Sequence, residues 1–425
     1  MISKEYPRIG ETLYHAQLEN GLHIYVDRRP EFQKSYAFFA TNYGGMDMKF
    51  RLDGQWQDTP AGVAHFLEHK MFDTEDGNAL QDLAANGASP NAFTSSAITG
   101  YFFESTEKFY DNLKILLSFV SVPYFTQESV DKEQGIIGQE IRMVEDDPDN
   151  QVFYALMECL YDHHPIQVPI AGTQQSIACI TADTLYACHK AFYTPSNMVL
   201  TVAGDVDPEM VCRIAREILP AESGGSIERD YGGEENDKAS VSVKELKMEV
   251  STPIFQLGFK ADPAPAGEER LRRQLMGELA CEALLGNSSP LYASLYEKGL
   301  INANFAYGFE IYPGCALMAA GGESRDPVQV RDAVLAEGER IAREGINEAL
   351  FARLKKGLYG ARVRAMNSFE NVCIELAQAH FAGVEYFRFP EVFDQIQKSD
   401  VEDCIRRWVT GARCGLAVVR PGESV

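Results

Sequence analysis

One stretch near the middle of the chain limits the fold more than any other. Residues 221–239 read AESGGSIERDYGGEENDKA, with glycine pairs at 224–225 and 232–233, many charges and few apolar side chains. Paired glycines favour turns over regular elements, and a charged run adds little to a core. The stretch divides 425 residues into two nearly equal parts. Each part is long enough to bury its own core. The expected organisation is a first domain at 1–222, a linker at 223–239 and a second domain at 240–425. Apolar residues are 45% and charged residues 24% of the chain, the balance of a globular protein rather than a disordered one.

Both parts carry the same rhythm. In the first, residues 18–27 and 35–45 read as strands, the former around an Asn-Gly turn. Helical spacing follows at 62–71 and 78–86. Residues 91–105, rich in Phe, Tyr, Thr and Ile, read as strand. Helices are expected at 107–120 and 129–145, then a strand at 197–205 and a helix at 208–219. In the second part, 254–259, 316–320 and 414–419 read as strands, and 270–285, 328–343 and 348–364 as helices. Strands and helices segregated in this way predict an α+β fold. The repeated rhythm fits an internal duplication, although no clean motif recurs.

Charge and cysteine usage exclude several classes. The chain has 39 Lys and Arg against 62 Asp and Glu, a net charge of −23, which argues against general nucleic-acid binding because phosphate contacts need cations. The most apolar window, residues 113–125, contains Lys114 and Pro123 and is shorter than the ~20 residues that span a bilayer. The first fifteen residues lack the apolar region of a secretory signal. The nine cysteines are scattered without a C-x-x-C pair. They read as small apolar residues in a reducing compartment, and the expected localisation is cytoplasmic.

The chemistry concentrates in residues 62–72, GVAHFLEHKMF. On a helix, His65 and His69 stand four apart on one face with Glu68 beside them. Two imidazoles can then grip one cation next to a carboxylate that takes a proton from water, the arrangement of a zinc hydrolase. The order H-x-x-E-H inverts the common H-E-x-x-H. Val63, Ala64, Phe66, Leu67 and Phe72 are apolar, so the three polar groups are expected to be partly buried, and buried polar groups need a partner. A third protein ligand is expected on the helix at 129–145. Glu133 and Glu140 are seven apart and share a face, and Glu145 is a further candidate; spacing alone leaves the three open. Ile136, Ile137 and Ile141 mark this helix as packed. Gly135 and Gly138 point to close approach by another element, since each costs ~1 kcal/mol in a helix.

Residues 62–72, the SPNAFTSS run at 89–96, the run at 133–141 and FYTPSNMVLTVAGDV at 192–206 together resemble the pitrilysin, insulin-degrading-enzyme and mitochondrial-processing-peptidase family of inverzincin metallopeptidases. The resemblance is specific in the first part and diffuse in the second. It implies two similar domains, each a mainly antiparallel sheet packed with helices on one face. It implies Zn2+ held by His65, His69 and Glu140, with Glu68 as general base and Glu133 as a supporting carboxylate. Asn91, Ala92 and Phe93 would lie on an edge strand that pairs with the substrate backbone. The implied activity is a zinc endopeptidase subunit acting on short or unfolded peptides, in turnover or precursor processing. The alternative is a catalytically weak peptide-binding or assembly subunit of the same fold.

The resemblance also implies a partner. Family members close a chamber from four such domains, and this chain has two. Many active members use an Arg and a Tyr, from the half without zinc, within a segment like L-R-E-K-x-G-L-x-Y. The matching residues 295–303 read LYEKGLINA, with Tyr296 in place of the Arg, Asn302 near the place of the Tyr, and Tyr307 further on. The expectation is a heterodimer in which a related chain supplies the pair, with a homodimer as the other arrangement. Elsewhere, His163 and His164 precede a proline and read as surface or capping residues. Cys188 and His189 are adjacent without a supporting motif, and the acidic run at 145–150 reads as a helix end and turn.

Overall fold

The computed structural model describes residues 1–422, so the last three residues of the expected second domain, 240–425, lie outside the described residues. The chain forms two compact units, and neither follows the linear split. The first unit comprises residues 1–141, 168–231 and 363–388; the second comprises 142–167, 232–362 and the chain from 389 onward. Each half of the sequence therefore lends a helical segment to the unit built mainly by the other.

The first unit is built on strands β1 (Ile2–Tyr6), β2 (Glu11–Gln17), β3 (His23–Arg28), β4 (Ser35–Thr41), β5 (Ser89–Thr94), β6 (Thr99–Ser105) and β7 (Met198–Gly204). They form one sheet in the order β1-β2-β3-β7-β4-β6-β5. β7 runs parallel to β3, and the remaining pairs are antiparallel. The run at 91–105, expected as a single strand, is the hairpin of β5 and β6. Its turn is held by Ser95, whose amide and hydroxyl both donate to the Ile98 carbonyl. β1 and β2 were not anticipated, because alternating polar residues such as those of ISKEY carry little apolar signal.

The helices that matter here are α1 (Val63–Met71), α2 (Phe109–Ser121), α3 (Gln127–Asp146), α4 (Pro148–Leu160), α5 (Glu268–Leu285), α6 (Pro327–Glu344), α7 (Glu348–Ala365) and α8 (Phe369–Phe381). In the first unit, every residue of β4 is buried. Its side chains alternate between two faces. Ala37 and Phe39 join the large core with Val63, Phe66 and Leu67 of α1 and Leu113 and Leu117 of α2. Tyr36, Phe38 and Ala40 join a second core with Phe369, Cys373 and Ala377 of α8. The expectation of helices on one face is thus corrected: the sheet is covered on both faces. The second cover comes from a remote part of the sequence, which a strand's own alternation cannot reveal.

The second unit has β8 (Val243–Met248), β9 (Ile254–Ala261), β10 (Ala306–Tyr312), β11 (Cys315–Glu323) and β12 (Cys414–Pro421), in the order β8-β12-β9-β11-β10. β12 is parallel to β8 and the other pairs are antiparallel. Order and direction repeat those of β3-β7-β4-β6-β5. The duplication is therefore present as topology although no sequence motif recurs. Gly258 and Gly415 seat α4 on this sheet: a Cβ at Gly258 would stand 2.9 Å from Leu160 Cδ1, and one at Gly415 would stand 2.8 Å from Cys159 Cβ. On the opposite face, Gly277 of α5 admits the Phe309 ring, 2.2 Å from a Cβ position.

The expected linker is anchored at both ends of its length. Ile227–Arg229 forms a strand paired with Lys49–Leu52, and the Arg229 guanidinium meets the buried Asp47 carboxylate at 3.0 Å. Within the second unit, Glu235 accepts from the backbone N–H groups of Asp162, His163 and His164 and from Lys260. Burial alone would raise its pKa, but these donors bring the carboxyl down to about 2.

Candidate metal centre

The placement of His65 starts with glycine. Gly62 caps α1 at φ 97°, and a Cβ there would stand 2.6 Å from the Ala171 carbonyl oxygen. Gly172, at φ 74°, approaches Ala61 as closely from the other side. The Ser176 hydroxyl donates to the Ala61 carbonyl at 2.8 Å. The first turn of α1 is thus locked against the 168–177 segment before any apolar residue is counted. Val63, Phe66, Leu67 and Met71 then turn inward, which leaves His65, Glu68 and His69 along one flank.

α3 brings the carboxylates. Val130, Ile137 and Ile141 are buried and fix the rotation of the helix. Ile136, expected as a packing residue, is instead 47% exposed. Of the two glycines, only Gly138 marks close approach, where the Gln174 side chain donates to its carbonyl; a Cβ on Gly135 would meet nothing within 4 Å.

The donor atoms converge. Glu140 Oε1 lies 3.4 Å from His65 Nε2, and Glu140 Oε2 lies 3.5 Å from His69 Nε2. One donor atom from each of the three residues can be chosen so that all lie within 4.8 Å of one another. These separations are long for hydrogen bonds. They leave room for one cation among the three residues, with ligands at about 2.0–2.1 Å from it. The chemistry of this donor set, two imidazoles and a carboxylate, fits a zinc ion. His69 turns its other nitrogen, Nδ1, to Glu133 Oε1 at 3.1 Å, the kind of outer contact that fixes a ligand imidazole. His65 Nδ1 is buried without a partner. Glu145 is exposed and outside the cluster.

Electrostatics agree with the geometry. Burial pushes the His69 imidazole down, but its hydrogen bond to Glu133 and the charges of Glu68, Glu140 and Glu133 outweigh this and hold its pKa above the ordinary value. Glu140 is held below the ordinary carboxylate value by its contact with His65, against the opposing effect of burial and with help from the His69 charge. A cation is what such a group of three carboxylates around two imidazoles favours.

Glu68 lies next along α1, and its Oε2 accepts a 2.7 Å hydrogen bond from the Thr94 hydroxyl. Thr94 is not legible from the sequence alone, because nothing in a strand's spacing says which hydroxyl will meet a helix. Asn91, Ala92 and Phe93 lie on β5, at the edge of the sheet.

The other candidates are structural. His164 is buried rather than superficial: Nε2 lies 2.8 Å from the Pro313 carbonyl and Nδ1 accepts from the Ile166 amide. His189 Nε2 bonds the Val120 carbonyl at 3.0 Å, and burial raises the Cys188 thiol to about 12, so the two form no reactive pair. The acidic run ends α3, and Asp147 caps α4. In the second unit, Tyr296 is 53% exposed, Asn302 donates to Glu323, and the Tyr307 hydroxyl donates to Glu282 at 3.1 Å.

Comparison with known proteins gives a consistent answer. Residues 53–174 match the model described as Insulinase (Peptidase family M16), and residues 180–358 match the Peptidase M16 inactive domain. The uncharacterized zinc protease YmfH of Bacillus subtilis is 40% identical over 98% of each chain. Among solved structures, an M16-like peptidase from Alicyclobacillus acidocaldarius aligns with a TM-score of 0.94 at 30% identity, covering 99% of this chain and 100% of that one. Pitrilysin shares the fold at 16% identity and a TM-score of 0.76; 97% of this chain aligns with 45% of pitrilysin.

Proposed function

Because this chain belongs to the M16 family of peptidases, we propose that it is the zinc-binding subunit of an endopeptidase that cleaves short or unfolded peptides. The observation that carries the reading is the convergence of His65, His69 and Glu140 beside the Glu68 carboxylate. Zinc bound by these three residues would supply Lewis-acid polarisation of water and of the scissile carbonyl. Glu68 takes the proton of the attacking water and returns it to the leaving amine. Glu133 holds His69 through Nδ1. The open side of β5 offers backbone groups to an extended peptide, with Asn91, Ala92 and Phe93 along it.

Two observations support a partner in this reading. Residues 295–307 contain no arginine, and this chain corresponds to 45% of the length of pitrilysin. A second, related chain supplying the Arg and Tyr pair completes the enzyme in this reading. Nine unpaired cysteines, eight of them buried, fit a reducing cytoplasm, and no described helix is long and apolar enough to cross a membrane. The test is hydrolysis of a quenched-peptide mixture by the zinc-loaded chain, alone and with a co-purified partner, before and after chelation. Cleavage that chelation abolishes supports the reading. Zinc binding without cleavage in either form leaves only a peptide-binding or assembly role.

A further inference from the structure

A glutamate on a helix surface samples several rotamers, and a general base works only from the one that meets its proton. On Glu68 that choice is made by Thr94. The Thr94 hydroxyl stands 2.7 Å from Glu68 Oε2 and 3.5 Å from the Thr99 hydroxyl. The shorter contact, to a charged acceptor, takes the proton. Thr99 gives its own proton to the Tyr43 carbonyl at 2.9 Å. One oxygen of Glu68 is thereby held.

We propose that Thr94 is the positioning residue of Glu68, and that it links the base to the strand on which a peptide would lie. Thr94 is the last residue of β5 and follows directly on Asn91, Ala92 and Phe93. A peptide pairing with that edge therefore fixes the backbone that carries the hydroxyl. The inference rests on the peptidase reading above and adds to it a specific residue with a specific bond.

Thr94→Val keeps the shape and the β-branch that suit a strand and removes only the hydroxyl. Thr94→Ser keeps the hydroxyl. With the zinc-loaded chain and its partner, kcat for the quenched-peptide mixture is expected to fall about 10- to 100-fold in the valine variant, the scale of a misplaced catalytic group. KM should stay within about twofold, since binding is untouched, and zinc content should be unchanged. The serine variant should recover most of kcat. A valine variant within about twofold of wild type, one that loses its zinc or its fold, or a serine variant as slow as the valine one, overturns the proposal. Should the wild type cleave nothing, the peptidase reading fails by itself. The carboxylate carbon spectrum of the metal-free, glutamate-labelled chain then decides the bond: a Glu68 resonance, assigned with Glu68→Gln, that moves in the valine but not the serine variant upholds it, and one that ignores both overturns it.

Discussion

In the first unit, α1 follows the central strand β4, and α3 is the second helix after the β5–β6 hairpin. In the second unit, α5 follows the corresponding strand β9, and α7 is the second helix after the β10–β11 hairpin. α1 presents His65 and His69 to Glu140 of α3 across 3.4 and 3.5 Å. α5 presents Gln274 and Glu278, again four apart. The Gln274 amide donates to Glu278 at 2.9 Å, and Arg362 of α7 donates to both Glu278 oxygens, one at 3.1 Å. One helix pair gathers carboxylates and imidazoles that a cation would join. The other carries its cation covalently, in an arginine whose bidentate fork is already satisfied. The same strand order thus supports an open cluster of potential metal ligands in one unit and a closed ion pair in the other. The fold supplies the helix pair, and three side chains decide whether it does chemistry.

The sharpest way to break this comparison is at the base. Glu68→Gln is expected to lower peptide turnover about 10³-fold, within the range for general-base catalysis, while one zinc per chain remains on elemental analysis. Unchanged turnover would remove Glu68 from the chemistry. Next comes the metal. At free zinc about 1,000-fold above its dissociation constant, binding adds about 4 kcal/mol to the folded state. Chelation should therefore raise hydrogen exchange in α1 and α3 and leave α5 and α7 unchanged; equal loosening of both pairs would mean that the metal does not act where the donor atoms converge. The complementary change is Arg362→Met. It leaves the largely buried Glu278 without its cation, at a cost of about 2–3 kcal/mol. Hydrogen exchange should now rise in α5 and α7, with zinc content unaltered.

The smallest expected effect concerns pH, and it falls on the first unit. Burial lowers His380 from the ordinary 6.5 to about 4, with the neighbouring His23 and His15 adding to it. Burial lowers His189 similarly, to about 4, against the pull of the Val120 carbonyl. The unfolded chain takes up these protons near pH 6.5 and the folded chain only near 4. Stability is therefore full above pH 6.5 and falls as pH drops towards 4, by about 1–2 kcal/mol per group once partial exposure is allowed for. Thermal melting across this window checks it, and His380→Gln should flatten the slope. A melting temperature that rises on acidification would contradict the assignment.

Much of the site was legible because it is local. His65, Glu68 and His69 lie within one and a half helical turns, and a helix of fixed pitch sets their relation whatever surrounds it. Glu140 was different. Spacing left Glu133, Glu140 and Glu145 open, and resemblance alone preferred Glu140. The rotation of α3, set by Val130, Ile137 and Ile141, is what turns Glu140 to both imidazoles and Glu133 to the back of His69. The strand reading merged β5 and β6, since a Thr- and Ser-rich turn offers no glycine or proline to mark it.

By itself the sequence determined the α+β class and the helical spacing of His65, Glu68 and His69. Each follows from periodicity or from neighbours a few residues apart. Only the tertiary structure decided that α4 and α8 each join the unit built mainly by the other half, that Thr94 meets Glu68, and that Arg362 closes in the second unit what stays open in the first. Those contacts join residues far apart in the chain, 26 positions for Thr94 and Glu68 and 84 for Arg362 and Glu278. Local preference cannot encode such a meeting; it depends on which buried faces pack together, and that is settled only when the whole core forms.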